Sequence, residues 1–318
     1  MALDHYISQV HLKNFYSAAL GNRLHAVRKS NLKKFTPRAD DICRIEDGST
    51  NSFLTRERVI EEFLKTVEPR YNSAVASLRS GNPDQDAVYV IAGFVAFVVS
   101  CAPAAMRLGI QPLDSLLRGT SEILDRQGRL GPAPAILGNK SLTELLADGT
   151  VHFDIDQKYP QAMGINTIIG RVSAFGNADW EILHNSDRDS PFFTSDFPVA
   201  IEERGNTGIM NRLVPLTPDL AVRILPDVSQ SRASPDLDFS QFRFRVRTVT
   251  RAECTEINRL IVQCAEDLVL YRDDHAWIDG FVSKNRNFRI ETLVERIPSG
   301  GGYFHLARQR IRAREEVA

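Results

Sequence analysis

Residues 87–106 read AVYVIAGFVAFVVSCAPAAM, a run without a charged side chain. At about 1.5 Å per residue, a helix of that length reaches across a bilayer. Three features argue instead for a buried core helix. Gly93 and Pro103 loosen an isolated span, no Trp or basic cluster anchors both ends, and polar chain flanks the run on either side. We expect this run to be the central helix of the fold, continuing to about Leu108, wrapped by other helices and with no membrane partner.

Upstream, Val59, Ile60, Phe63, Leu64, Val67, Tyr71, Ala74, Val75 and Leu78 fall three or four apart and predict a helix from Thr55. Pro69 removes one backbone donor, so a kink is expected just after Glu68. Downstream, a Gly/Pro break precedes a helix over 113–124, and a loop covers 128–140. A short helix at 141–148 opens with Ser141 and Glu144 in capping-box spacing, and another runs from Pro160 to about Phe175.

The period then changes. A short strand near residues 24–28 is joined by strands at 180–185, 192–202, 212–218, 220–226 and 242–250, the last alternating Phe and Val with Arg. Thr250 and Glu253 form a second capping box before an amphipathic helix over 254–268, and 268–272 returns to the sheet. A helix-rich first half around a buried apolar helix, followed by a small mainly antiparallel sheet with a packed helix, defines an α+β fold. One domain over 1–298 is expected, then a Gly-hinged basic tail over 299–318.

Hydrophobic residues make up 43% and charged residues 25%, ordinary for a globular chain. A net charge of -1 gives no overall attraction to nucleic acid, so such a partner needs a local patch. The segment 28–38 supplies one, with Arg28, Lys29, Lys33, Lys34 and Arg38. Cys43, Cys101, Cys254 and Cys264 show no C-x-x-C spacing, which predicts reduced thiols and no disulfide partner. With no signal-peptide layout in MALDHYISQV, a cytoplasmic location is expected.

Two motifs stand apart: HYISQVHLKNF at 5–15 and TSDFP at 194–198. With PLTP at 215–218 and the helix bearing Glu68, they resemble the bacterial family catalogued as domain of unknown function 4238. His5, Tyr6, Gln9, Leu12 and Phe15 match its opening pattern, and Ser8 stands where the family usually has Pro. The resemblance covers most of the chain and implies no particular activity.

The residues themselves offer chemistry. His5 and Gln9, four apart, would share one face of a helical turn, and Glu61, Lys65 and Glu68 share a face of the kinked helix. Asp196 at a strand end suits acid–base work or metal binding; the same string also makes an Asx-turn. The bland alternatives are a His5 tied to a backbone carbonyl and an exposed Glu61–Lys65 pair. We expect His5, Glu68 and Asp196 to be catalytic and to form the ligand set for a divalent metal. Gln9, Asn14, Arg28, Lys29, Lys33 and Lys34 would contact substrate, and Asn166, His184 and Asn258 could join the site. His5 and Asp196 are expected to meet, the carboxylate fixing one imidazole tautomer. No Walker loop, Rossmann fingerprint, HExxH or G-x-S-x-G elbow is present. The leading expectation is a phosphodiester hydrolase of nuclease type. The alternatives are a non-catalytic binding or assembly protein and an enzyme of a small non-nucleotide substrate.

Overall fold

The apolar run forms the helix Gln85–Cys101, opened by Asp84, whose carboxylate accepts the Ala87 N–H at 2.7 Å. This computed structural model describes residues 3–203, 205, 208–227, 234–300 and 302–314. Of the 17 residues in that helix 13 are buried, so its apolar surface faces protein. Helices Val59–Val67, Tyr71–Arg79, Lys158–Asn166 and Ile168–Gly176 pack around it. Small residues set the approach: a Cβ on Gly93 would lie 2.8 Å from Val67 Cγ2, and one on Gly164 would lie 2.9 Å from Ser100 Cβ.

The helix stops at Cys101, earlier than expected. Ala102 precedes a proline and is extended, at ψ 149°, and Pro103 takes the first position of a new helix, Pro103–Arg126. The two meet at 60°, and no single helix among the described residues is long and apolar enough to cross a membrane. The second helix runs through Gly109 and Pro112, where the sequence predicted a break. Pro112 has no N–H for the Leu108 carbonyl; the Thr292 hydroxyl donates to it instead, at 2.9 Å.

Other local signals behave as read. The kink at Pro69 is a 3₁₀ turn, Glu68–Arg70, between Val59–Val67 and Tyr71–Arg79. Both capping boxes form, opening Leu142–Ala147 and Arg251–Cys264. The helix expected over 160–175 is two, broken at Thr167.

The class is α+β, with several small, mainly antiparallel sheets. A five-stranded sheet has the order Arg243–Thr248, Asp179–His184, Leu220–Leu225, Met210–Thr217, Ala200–Glu203, and only its first pair is parallel. A four-stranded antiparallel sheet has the order Lys34–Phe35, His25–Arg28, Leu268–Tyr271, Thr194–Ser195. In Arg243–Thr248 the alternation works against the simple reading: Phe244 and Val246 are 41% and 45% exposed. Arg245 and Arg247 instead reach the buried Glu181 of the neighbouring strand, which Arg223 also pairs at 2.5 Å.

The Gly-rich segment is the tip of a hairpin. Phe288–Ser299 and Gly302–Ala313 pair along their full length, with Gly300 in the turn at φ 57°. The expected tail is therefore, through residue 313, a strand against Phe288–Ser299 and the helix Pro103–Arg126. Residues 315–318 lie outside the described residues. The helix Ile278–Asn285 ahead of the hairpin was not anticipated.

One buried polar node joins these parts. In the short helix Gln9–Lys13, His11 Nδ1 lies 2.8 Å from Tyr71 Oη and Nε2 lies 2.8 Å from Thr194 Oγ1. Its ring stacks on Phe94 with centroids 4.8 Å apart. A hydroxyl can donate or accept, so either neutral tautomer is satisfied. Burial holds the pKa down at about 3, far below the ordinary 6.5.

Two outcomes follow for stability. Phe94→Ala removes a fully buried ring and should cost about 3–5 kcal/mol in urea unfolding. For His11 the unfolded chain takes up the proton first, so its contribution is present above pH 6.5 and is lost as pH falls toward 3. The stability gap between wild type and His11→Gln should then shrink on acidification, by at most about 1.4 kcal/mol per pH unit. A gap constant across that range would contradict the buried neutral imidazole.

Candidate functional site

The strand Leu3–His5 pairs antiparallel with Arg44–Glu46, placing His5 opposite Arg44. The chain then turns through Ile7 and Ser8 into the helix Gln9–Lys13. His5 is thus in a strand, not a helical turn, yet the reversal brings Gln9 Nε2 within 3.0 Å of its Nε2. With the amide donating, His5 Nε2 is the acceptor and Nδ1 holds the proton. Nδ1 is buried and has only the Ile42 carbonyl beside it, outside full hydrogen-bonding geometry. Burial pulls the His5 pKa below its ordinary value and Arg44 adds to that, while Glu68 and Asp40 oppose it. The imidazole is neutral at neutral pH.

This imidazole opens on a cleft of about 610 Å³ whose wall includes Gln9, Lys13, Glu61, Lys65 and Glu68. Glu68 is there because Pro69 breaks the helix at that point, and its charge acts on His5. Glu61 belongs to a clamp: Arg58 pairs with it and also with Asp4, at 3.0 Å. Lys65 pairs with Glu62 at 2.8 Å rather than with Glu61, so the Glu61–Lys65 pair read from the sequence does not form. Lys13, missed in the sequence, follows His5 and Gln9 at a constant spacing of four, the one signal that could have found it.

Asp196 is elsewhere. It is buried, and its carboxylate accepts the backbone N–H groups of Glu266 at 2.9 Å, Asp267 at 2.8 Å and Leu268 at 2.8 Å. Ser195 Oγ accepts the Phe197 N–H at 3.1 Å, so the Ser-Asp-x-Pro string is a backbone-binding turn. Burial raises the Asp196 pKa against the pull of those amides and of the Lys29 ammonium. With its oxygens on these amides it forms no hydrogen bond to His5. Of the expected trio, His5 and Glu68 line one cleft and Asp196 does not. Among the described residues no three His, Cys, Asp or Glu side chains stand where they could share a metal ion.

The other expected residues have structural posts. Lys29 is buried and donates to the carbonyls of Gln263, Ala265 and Phe288 at 3.4, 2.5 and 2.8 Å, so it cannot reach a phosphate on the surface. Arg28 pairs with Asp267 at 2.9 Å, and Lys34 with Asp274 and Asp279 at 3.2 and 2.7 Å. Lys33 has no acidic partner among the described residues, and none of Arg28, Lys29, Lys33 and Lys34 lines the cleft. Asn14 does not line it either; its Nδ2 is buried without a hydrogen-bond partner. Asn258 accepts the Phe193 N–H and donates to the Pro191 carbonyl, each at 2.8 Å, pinning the approach to the TSDFP turn. Asn166 and His184 lie away from the cleft wall.

The molecule is thus an α+β protein whose polar cleft is walled by an N-terminal strand–turn–helix and a proline-broken helix. It belongs to the family described as Protein of unknown function (DUF4238), whose model matches residues 4–275. Neither a curated protein nor a solved structure matches the chain.

Replacing Asp196 by Asn leaves one oxygen for three buried or part-buried amides and turns an NH₂ group toward an N–H. Each stranded donor costs about 1–3 kcal/mol, so Asp196→Asn should lower the melting temperature clearly. A melt unchanged from wild type would show that the carboxylate is not the cap described here.

Proposed function

We propose that the protein is a phosphodiester hydrolase working by acid–base catalysis in the cleft of His5 and Glu68. The observation that carries this reading is a neutral imidazole, held in one tautomer by Gln9 and sharing a cleft with Glu68, with Lys13 and Lys65, and with Asp4 and Glu61, which Arg58 pairs. Nε2 has a lone pair directed at Gln9. An attacking water or hydroxyl that displaces the amide can give Nε2 its proton as its oxygen bonds to phosphorus. The ester P–O bond opposite breaks, and the departing alkoxide takes a proton from solvent. The Glu68 carboxylate then stabilises the imidazolium. Lys13 and Lys65 supply positive charge for the phosphate oxygens as negative charge builds up in the transition state. DNA and RNA are the obvious diester polymers. The contact would run through these lysines rather than through the segment 28–38.

The test is cleavage of bis(p-nitrophenyl) phosphate, single- and double-stranded DNA, and RNA, each with and without chelator. His5→Ala and Glu68→Gln should each lower the rate by about 100-fold or more while leaving the melting temperature nearly unchanged. The His5 pKa is depressed, so the base form is lost only as pH falls below about 6.5, and the acid limb of the rate profile should lie there. No turnover by wild type on any of these substrates, or full activity in both variants, would sink the proposal. Saturable binding of the diester without turnover would instead place the protein among binding proteins.

A further inference from the structure

A second cavity, of about 650 Å³, opens between the helices Pro103–Arg126 and Ile168–Gly176, the strand Met210–Thr217 and the C-terminal hairpin. Among the described residues three arginines line it, Arg171, Arg212 and Arg308, and no acidic side chain does. Arg171 has only two long contacts, to the Val99 carbonyl at 3.3 Å and to Thr167 Oγ1 at 3.5 Å. The side chains of Arg212 and Arg308 make no hydrogen bond or ion pair among the described residues. Comparable arginines nearby are neutralised. Arg107 lies between Glu266 and Glu291, Arg223 between Glu181 and Glu202, and Arg310, two residues beyond Arg308, pairs with Glu203.

Protein surrounds the Arg212 guanidinium, and the surface it retains opens into the cavity. Burial, with a smaller contribution from the nearby charge of Arg171, lowers its pKa to about 10. Gathering like charges without a counter-ion is unfavourable, and a bound anion removes that cost. Gln309 adds a second mark of an incomplete site: it lines the cavity, and its Oε1 is buried without a partner. Its amide can turn either end to a ligand. Apart from Thr292, the remaining wall is mainly apolar, with Val99, Leu108, Phe197 and Met210 among its residues.

We infer that this cavity is a binding site for a small phosphorylated molecule, with the phosphoryl group held among Arg171, Arg212 and Arg308 and the body of the molecule against the apolar wall. A phosphoryl dianion matches the guanidinium fork geometry and supplies more than one negative charge to a site with three positive ones. The site is separate from the His5 cleft and does not depend on that cleft being catalytic.

The experiment is calorimetric titration of the full chain with pyrophosphate and with AMP at constant ionic strength, with chloride as the control. Wild type should bind at least one probe saturably with 1:1 stoichiometry. Arg171→Gln and Arg212→Gln should each weaken binding by about tenfold or more, the loss expected for a hydrogen bond to a charged group. Lys13→Gln, in the other cleft, should leave it unchanged. Phenylglyoxal labelling of wild type needs no substitution: saturating pyrophosphate should slow modification of Arg212. Absence of saturable binding, equal binding by both arginine variants, loss of binding in Lys13→Gln alone, or unprotected Arg212 would each overturn the inference.

Discussion

The imidazole of His11 is the constraint on which the rest of the fold depends. A ring with two polar atoms cannot be left bare among Phe15, Phe94 and Tyr71 without a large desolvation cost. It is satisfied only when the Tyr71 hydroxyl and the Thr194 hydroxyl arrive together, from positions 60 and 183 residues away. Four stretches are thereby fixed at one point: the N-terminal motif, the kinked helix, the central helix and the TSDFP turn. The helix that carries His11 inward presents Gln9 and Lys13 outward, to the cleft. The geometry of the candidate site is set from behind, by a core contact that never touches a ligand.

The same economy holds where charge is buried. Asp196 and Lys29 both lie inside, and each is satisfied mainly by the backbone: the carboxylate by three amides, the ammonium by three carbonyls. Together they fasten the chain between Arg251–Cys264 and Leu268–Tyr271, the strand that joins His25–Arg28 to Thr194–Ser195. That sheet unites segments some 240 residues apart, so it contributes stability only after long loops have closed.

What could be read from the sequence was what local chemistry decides. The capping boxes at Ser141 and Thr250, the break at Pro69 and the apolar helix as far as Cys101 all formed, because each depends on neighbours within one or two helical turns. The α+β class followed from the change of period near Trp180. The failures share a different cause. Whether the Asp196 carboxylate faces solvent or backbone is decided by residues 266–268, some 70 positions later. Lys29 looks like its basic neighbours, and only the fold buries it. Pro112 signalled a helix break because nothing nearby shows that Thr292 will satisfy the carbonyl it strands. The outward turn of Phe244 and Val246 reflects the pull of Glu181 on the arginines between and beyond them. Of the candidate site, His5, Gln9 and Glu68 were legible together and Lys13 was not. Its part depends on the turn at Ser8 that carries a strand into a helix.

The hairpin Phe288–Ala313 has a consequence for how the protein is made. It lies beyond the span matched to the family, and the ribosome delivers it after the rest of the described fold. Until it docks, the Leu108 carbonyl has no donor and the cavity lacks the wall carrying Arg308 and Gln309. A chain ending before residue 288 would expose a broken hydrogen-bond ladder at Leu108 and two positive charges without a counter-ion, those of Arg171 and Arg212. Docking of the hairpin thus alters the surface of the chain that precedes it, covering the Leu108 carbonyl and closing one wall of the cavity.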